Sequence, residues 1–301
     1  MKTTITGFLD LEGKATIEQQ IECTTKHELS SICLRKYNQN PLIGMSEGEI
    51  KNLISLLKDA KLKISILDTG IVPYSINDDR KHSVAFDEFK YMIKLADRLK
   101  VQYLYYRLPI FDDVIEEYEN IAKRLEPFVD AAMKSSKKII LLPNNNYKSN
   151  VYAYIMKKLK SNVISIAFDP VYIMMNNEST TTAYRLLKKS IGSFSATDAD
   201  HQNMPKLIGY GKTDIVSLFK KLLRDHYDGF LLIDNRFQEE VFEIETQKTG
   251  FFAKLFKTKE KKKETMLADL SSKIFPNEET KNVTYNDILA NQIKVLKIIF
   301  K

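Results

Sequence analysis

Short apolar runs alternate along the chain with stretches whose apolar positions recur at helical spacing, the rhythm of parallel strand-helix units. Strand-like runs fall at 3–9, 30–34, 62–67, 101–106, 138–142, 163–168, 191–197 and 229–233. Helical patterns follow at 17–26, from Ser46 onward, and at 84–99, 112–135, 150–159, 182–189 and 214–224. Thr16 is placed to cap the first helix. Ser46 and Glu49 form the S-x-x-E pattern of a capping box, ahead of Ile50, Leu53, Ile54 and Leu57 on one face. Eight such units predict an α/β fold, a closed (β/α)8 TIM barrel rather than an open doubly wound sheet. The rhythm breaks after the eighth strand. Residues 240–282 read as an insertion before a closing helix at 285–300, whose Ile288, Leu289, Ile293, Leu296 and Ile299 share a buried side. The expected organisation is one barrel domain over residues 1–301, insertion included.

Many of the strand runs stop at a polar residue: Arg35, Asp68, Arg107, Asn144, Asp169, Asp198 and Asp234. In a parallel barrel these stops share one end, where active sites lie. Asp169 and Asp234 are the candidate catalytic bases, since proton transfer beside a carbonyl needs a carboxylate. Arg35 and Arg107 offer planar forks that suit a phosphate or carboxylate. Asn144, Asp198 and Lys212, the last in the loop beginning Gly209-Tyr-Gly211, complete the candidate substrate-binding set. That glycine pair lacks the full spacing of a dinucleotide fingerprint. The competing structural account has Arg35, Asp68, Arg107 and Asp169 pairing with one another at the barrel mouth. The tyrosines, Tyr103, Tyr105, Tyr106, Tyr147 and Tyr172 among them, are expected mainly in the core, those at the mouth being able to stack on a sugar ring.

Composition narrows the classes. In 301 residues, 44% are apolar and 28% charged, enough for a large core and a solvated surface. No apolar run approaches the roughly 20 residues of a membrane span. The N-terminus lacks the basic-then-apolar order of a secretory signal, and Cys23 and Cys33 have no metal-type spacing, so a reducing cytoplasm is expected. The net charge of +7 is concentrated: residues 248–263 hold seven lysines and one glutamate, leaving the rest near neutral. That distribution argues against nucleic acid, whose phosphates call for basic residues around a cleft. The segment is read as a solvated insertion, with a membrane surface or acidic partner as the sharper alternative, because Phe251, Phe252, Leu255 and Phe256 can share a helical face.

Several phrases resemble the xylose isomerase-like barrels, a family that includes sugar-phosphate isomerases and epimerases and the family 2 apurinic endonucleases. The likeness spans roughly residues 15–237. It is carried by Ile32-Cys-Leu-Arg35, by 53–65, by 89–99 with Val101, and above all by Gly209-Tyr-Gly211-Lys-Thr-Asp214 leading to Tyr227-Asp-Gly229-Phe-Leu-Leu-Ile-Asp234. The resemblance implies a divalent metal held by a carboxylate, an Asp, a His and a final carboxylate at the ends of strands five to eight. Here those positions fall at Pro143 (with Asn144 beside it), Asp169, Ser195 and Asp234, and a further family His falls at Tyr172. Proline has no side-chain donor and serine is a weak ligand, so a tight Mn, Zn, Co or Mg site is not expected unless Asn144, His201 or water replaces them. No cofactor is therefore assigned.

Three functions follow. One is a sugar or sugar-phosphate isomerase or epimerase with a divergent, metal-independent site. The second is a non-catalytic barrel that binds carbohydrate or serves as an interaction module. An endonuclease for abasic DNA is weakest, because it would need the histidine- and carboxylate-rich metal cluster.

Overall fold

The computed structural model describes residues 3–242, 253–278 and 282–300. Eight strands build one parallel sheet: β1 (Thr4–Thr6), β2 (Ser31–Leu34), β3 (Lys63–Asp68), β4 (Tyr103–Arg107), β5 (Lys138–Leu142), β6 (Ile164–Phe168), β7 (Ile191–Ala196) and β8 (Phe230–Ile233). Their order is β1-β8-β7-β6-β5-β4-β3-β2. The remaining seam, between β1 and β2, is bridged by Cys33 N donating to Gly7 O at 2.9 Å and Thr6 Oγ1 to Ser31 O at 3.1 Å. The result is a (β/α)8 barrel, as the eight-unit rhythm predicts.

The helices are α1 (Ile17–Lys26), α2 (Glu47–Asp59), α3 (Asp79–Arg98), α4 (Tyr118–Lys134), α5 (Ser149–Leu159), α6 (Pro170–Met175), α7 (Thr180–Leu187), α8 (Ile215–Arg224), α9 (Ala253–Ile274) and α10 (Tyr285–Phe300). Local chemistry sets their starts. Thr16 with Gln19, and Ser46 with Glu49, close capping boxes ahead of α1 and α2. α3 begins earlier than its apolar periodicity implies, because the Asp78 side chain accepts from Lys81 N at 2.9 Å. α4 begins later, at Tyr118: the Glu117 carboxylate accepts from Asp112 N and Asp113 N, and Asp113 Oδ1 from Ile115 N and Glu116 N, holding 112–117 in a turn. The short α6 follows from Asp169-Pro170, an N-cap followed by a proline at the first helical position.

Two apolar layers result. Between sheet and helices, Phe89, Tyr106 and Phe128 anchor the outer layer with ring centroids 4.8–5.8 Å apart. Inside the barrel, Cys33, Ile66, Tyr105, Ile140, Ala167 and Leu232 pack together, with Phe8 and Leu142 half-buried toward the strand ends. Tyr105 Oη meets Ser193 Oγ at 2.8 Å across the interior, so the one buried phenol there is satisfied. A third cluster, with Phe237, Val241, Leu270 and Ile288, packs the C-terminal half of α9 and the start of α10 beside β8. α10 lies against β1 and β8.

In the basic segment at 248–263, residues 248–252 and the side chains to 262 lie outside the described residues, and with them the expected apolar face of Phe251, Phe252, Leu255 and Phe256. Among the described residues no helix is long and apolar enough to cross a membrane.

Candidate functional site

Alternate residues of a strand share a face, so the columns lining the barrel interior continue into the polar strand ends. There the mouth is ringed by carboxylate-guanidinium pairs. Arg35 donates from Nε and Nη2 to Asp10 Oδ2 and Oδ1 at 2.5 and 2.7 Å, across the β1–β2 seam. Arg107 donates to both oxygens of Asp68 at 2.9 Å, joining β4 to β3. Arg236 donates from Nε to Asp234 Oδ1 at 2.9 Å and from Nη2 to Oδ2 at 2.6 Å, past the end of β8. The carboxylates are covered, but the arginine side chains keep 29%, 28% and 26% exposure, leaving part of each accessible to a ligand. Arg35 also lies over the Phe8 ring, 5.3 Å from its centroid. Pairing at the mouth is thus real, with Asp10 rather than Asp68 or Asp169 as the partner of Arg35.

Asp169 does a different job. Its Oδ1 accepts from Val171 N at 2.9 Å, Tyr172 N at 3.2 Å and Thr197 Oγ1 at 3.1 Å. Among the described residues, the hydrogen bonds to this carboxylate all fall on Oδ1 and none on Oδ2. Burial raises its pKa above the ordinary carboxylate value against the opposing charge of Arg236, and the charge of Asp234 adds to the rise. Arg236 is held charged: burial opposes its charge, but Asp234 and Asp169 outweigh that.

Asp198 is consumed by its own loop. It is buried, and its oxygens accept from Ala199 N, Gly209 N, Gly211 N, Thr213 N and Thr213 Oγ1 at 2.8–3.2 Å. Gly211 has to be glycine here, since a Cβ would lie 2.0 Å from Asp198 Oδ1. Lys212 in the same loop is exposed, and its backbone N donates to Ala199 O at 2.7 Å. Asn144 donates from its side-chain Nδ2 to Leu108 O at 3.0 Å, while its backbone carbonyl accepts from Tyr172 Oη at 2.9 Å. His201 is exposed.

Three residues outside the sequence-derived set join the ring: Asp10, Glu12 and Arg236. Alternation from Thr6 through Phe8 points to Asp10, and from Asp234 to Arg236, whereas Glu12 depends on its loop. Leu11, Glu12 and Gly13 all have positive φ (48°, 57° and 85°), a left-handed run that turns the chain back over β1. Glu12 Oε2 lies 3.4 Å from both Arg35 Nη2 and Asn235 Nδ2, and Oε1 is buried with no hydrogen-bond partner among the described residues. Burial pushes this carboxyl up to about 7, with Arg35 opposing and Asp10 and Asp234 adding to the shift.

A divalent ion does not match this donor set. Both oxygens of Asp234 and one of Asp169 are engaged, Pro143 offers no side-chain donor, and the Arg236 guanidinium brings positive charge to the place where a cation would be needed. Among the described residues no group of three or more His, Cys, Asp and Glu side chains could hold a metal ion.

A parallel barrel with a polar ring at the carboxyl ends of its strands is a TIM barrel, the fold whose active sites lie at that end. The chain belongs to the xylose isomerase-like TIM barrel family, whose model matches residues 31–248. None of the curated proteins matches it. Among solved structures it is similar to the IOLI protein with a bound zinc atom (TM-score 0.65, 15% identity, 90% of this chain and 99% of that one). It is also similar to D-psicose 3-epimerase with D-tagatose from Clostridium cellulolyticum (TM-score 0.62, 13% identity, 88% and 98% covered). A third is 3-keto-D-glucoside 4-epimerase, YcjR, from E. coli (TM-score 0.62, 12% identity, 88% and 100% covered). At these identities the likeness is one of fold.

Proposed function

We propose that the chain binds a sugar or sugar phosphate at the barrel mouth and isomerises or epimerises it by proton transfer, without a tightly held divalent ion. The observation that carries this reading is Asp169, a carboxylate fixed through one oxygen, without a hydrogen bond at the other among the described residues, and raised in pKa. A base whose pKa moves up toward neutrality is better matched to removing a proton beside a carbonyl. Arg236, in contact with Asp234 and feeling the charge of Asp169, is the cation available to stabilise the oxyanion that forms. Phe8 offers a half-buried apolar face on which a sugar ring can stack. Since each mouth guanidinium already faces a carboxylate, an unphosphorylated substrate is favoured over a phosphate ester. The sugars named for structural neighbours give the substrate class to try first.

The test is solvent exchange. Purified protein is incubated with a panel of aldoses, ketoses and their phosphates in D2O, with and without EDTA, and carbon-bound deuterium is followed by NMR. Deuterium incorporation that survives EDTA supports the proposal. Incorporation only with added metal overturns its metal-free part. Binding without exchange favours the second reading, a carbohydrate-binding barrel without turnover, which the full engagement of Asp198 and of both Asp234 oxygens also favours.

A further inference from the structure

We propose that copies of this chain associate head to tail, the acidic turn after β4 of one copy docking in a basic groove at the base of the next. Neither surface takes part in the proton transfer proposed above, so the contact stands or falls apart from that reading.

The groove lies between the end of α1 and the C-terminal half of α10, a cavity of about 630 Å³. Lys26 is the last residue of α1 and Glu28 comes just before β2, which puts the groove at the amino end of the barrel, opposite the mouth. Ile293 and Ile298 line it, and Ile298 is 71% exposed. Its rim sets Lys26, Lys294 and Lys297 against one acid, Glu28. Lys297 meets Glu28 at 3.5 Å on a carboxylate that is 86% exposed, a solvated contact of little strength. Lys26 and Lys294 are exposed, and among the described residues neither pairs with a carboxylate. An open apolar side chain bordered by unpaired lysines suits an apolar residue flanked by carboxylates. Two other clefts lack this character. One, between the loop after β3 and α3, balances Asp78 and Glu88 with Arg80 and Lys81. The other, along α9, is lined by Glu264 and Glu278 with no basic residue among those described.

The chain itself carries the complement. Residues 112–119 hold five carboxylates and no basic residue, and Ile115 among them is 66% exposed. Asp113 Oδ1 accepts from Ile115 N and Glu116 N at 2.7 and 3.0 Å, and Glu117 Oε2 from Asp112 N and Asp113 N at 2.7 and 3.1 Å. These bonds fix the backbone of the turn in advance, so docking orders little that is not already ordered. Asp112, Glu116 and Glu119, all exposed, remain to meet the lysines. The turn follows β4, at the mouth end, so a copy cannot fill its own groove. Unlike patches that meet in this way give a heterologous contact, which grows into chains or closes into rings. One turn in one groove buries a small area, so the contact belongs to the weak, salt-sensitive class.

Sedimentation velocity of the full chain over a range of concentrations tests it. Association at about 0.03 M salt, weakened at least about tenfold at about 0.5 M, is expected. Ile115→Asp spoils the turn and spares the groove, whereas Lys294→Glu with Ile298→Asp spoils the groove and spares the turn. These positions are exposed, so unfolding midpoints close to wild type are expected and are measured as the control. Each variant alone is expected to self-associate at least about tenfold more weakly. Mixed, they are expected to form a one-to-one pair and nothing larger, because the groove of the first meets the turn of the second. A wild type monomeric to about 1 mM at low salt overturns the proposal, as does a mixture that stays monomeric. Association lost in Ile115→Asp but kept in the groove variant puts the turn on another surface and overturns the groove assignment. Wild type that stays monomeric yet binds anionic phospholipid vesicles or an acidic peptide, and loses that binding in the groove variant, gives the groove to another partner and overturns the second copy.

Discussion

Replacing Asp198 with alanine removes a buried carboxylate that five donors converge upon. Three of them, Ala199 N, Thr213 N and Thr213 Oγ1, belong to buried residues, while Gly209 and Gly211 lie where water can reach. Each buried donor left without an acceptor costs on the order of 1–3 kcal/mol, and the more accessible ones cost less. Asp198→Ala should therefore destabilise the fold by about 3–5 kcal/mol, a large share of the margin of an ordinary domain. Asp198→Asn keeps one acceptor oxygen and should fall roughly midway. Equilibrium urea unfolding followed by far-UV circular dichroism reads the loss directly, with the slope of the transition checked for constancy. Gly211→Ala drives a methyl into the same carboxylate and should weaken the same loop. An Asp198→Ala protein within about 1 kcal/mol of wild type would refute the structural role and return Asp198 to the ligand set.

Asp169→Asn is expected to abolish isomerase activity while retaining sugar binding by calorimetry, and an active variant would remove Asp169 as the base. Arg107→Ala strands the covered Asp68 carboxylate and should cost about 1–3 kcal/mol in urea unfolding, less than for a fully buried pair because the guanidinium is partly solvated. The double variant Asp68→Asn with Arg107→Gln should recover part of that loss; additive losses would deny the coupling.

Strands and helices were legible because each follows from a short-range pattern. Ser46 and Glu49 lie three residues apart, and the apolar runs that make β3 or β5 need only their own residues. The ends of those runs also marked the mouth, which is why Asp169, Asp234, Arg35 and Arg107 could be named. Partner choice was not legible. Asp10 meets Arg35 only because the barrel closes β1 onto β2, and a run of residues carries no sign of that closure. Arg236 lies beyond the last apolar run, so a search for strand stops ends at Asp234. Asp198 resembles a ligand-binding group because the sequence displays its charge but hides the backbone N–H groups that occupy it. Glu12 depends on left-handed φ angles at Leu11 and at Glu12 itself, which only the adjacent Gly13 foreshadows.

The β1–β2 seam has a consequence for thiol chemistry. Among the described residues, these strands share one backbone hydrogen bond, Cys33 N to Gly7 O, where each of their other neighbours is paired over three or more residues. The Cys33 side chain is buried at that junction, beside Thr6 Oγ1 at 3.6 Å, and burial pushes its thiol up to about 12. An aromatic disulfide reagent can reach it only when the barrel breathes open there, so its labelling rate clocks one local opening rather than global unfolding. Cys23 is more accessible and should react first, giving each molecule an internal reference. A molecule bound between Arg35 and Asp234 would clamp the two sides of the seam and slow the second phase alone, so that occupancy of the mouth could be timed without knowing the reaction.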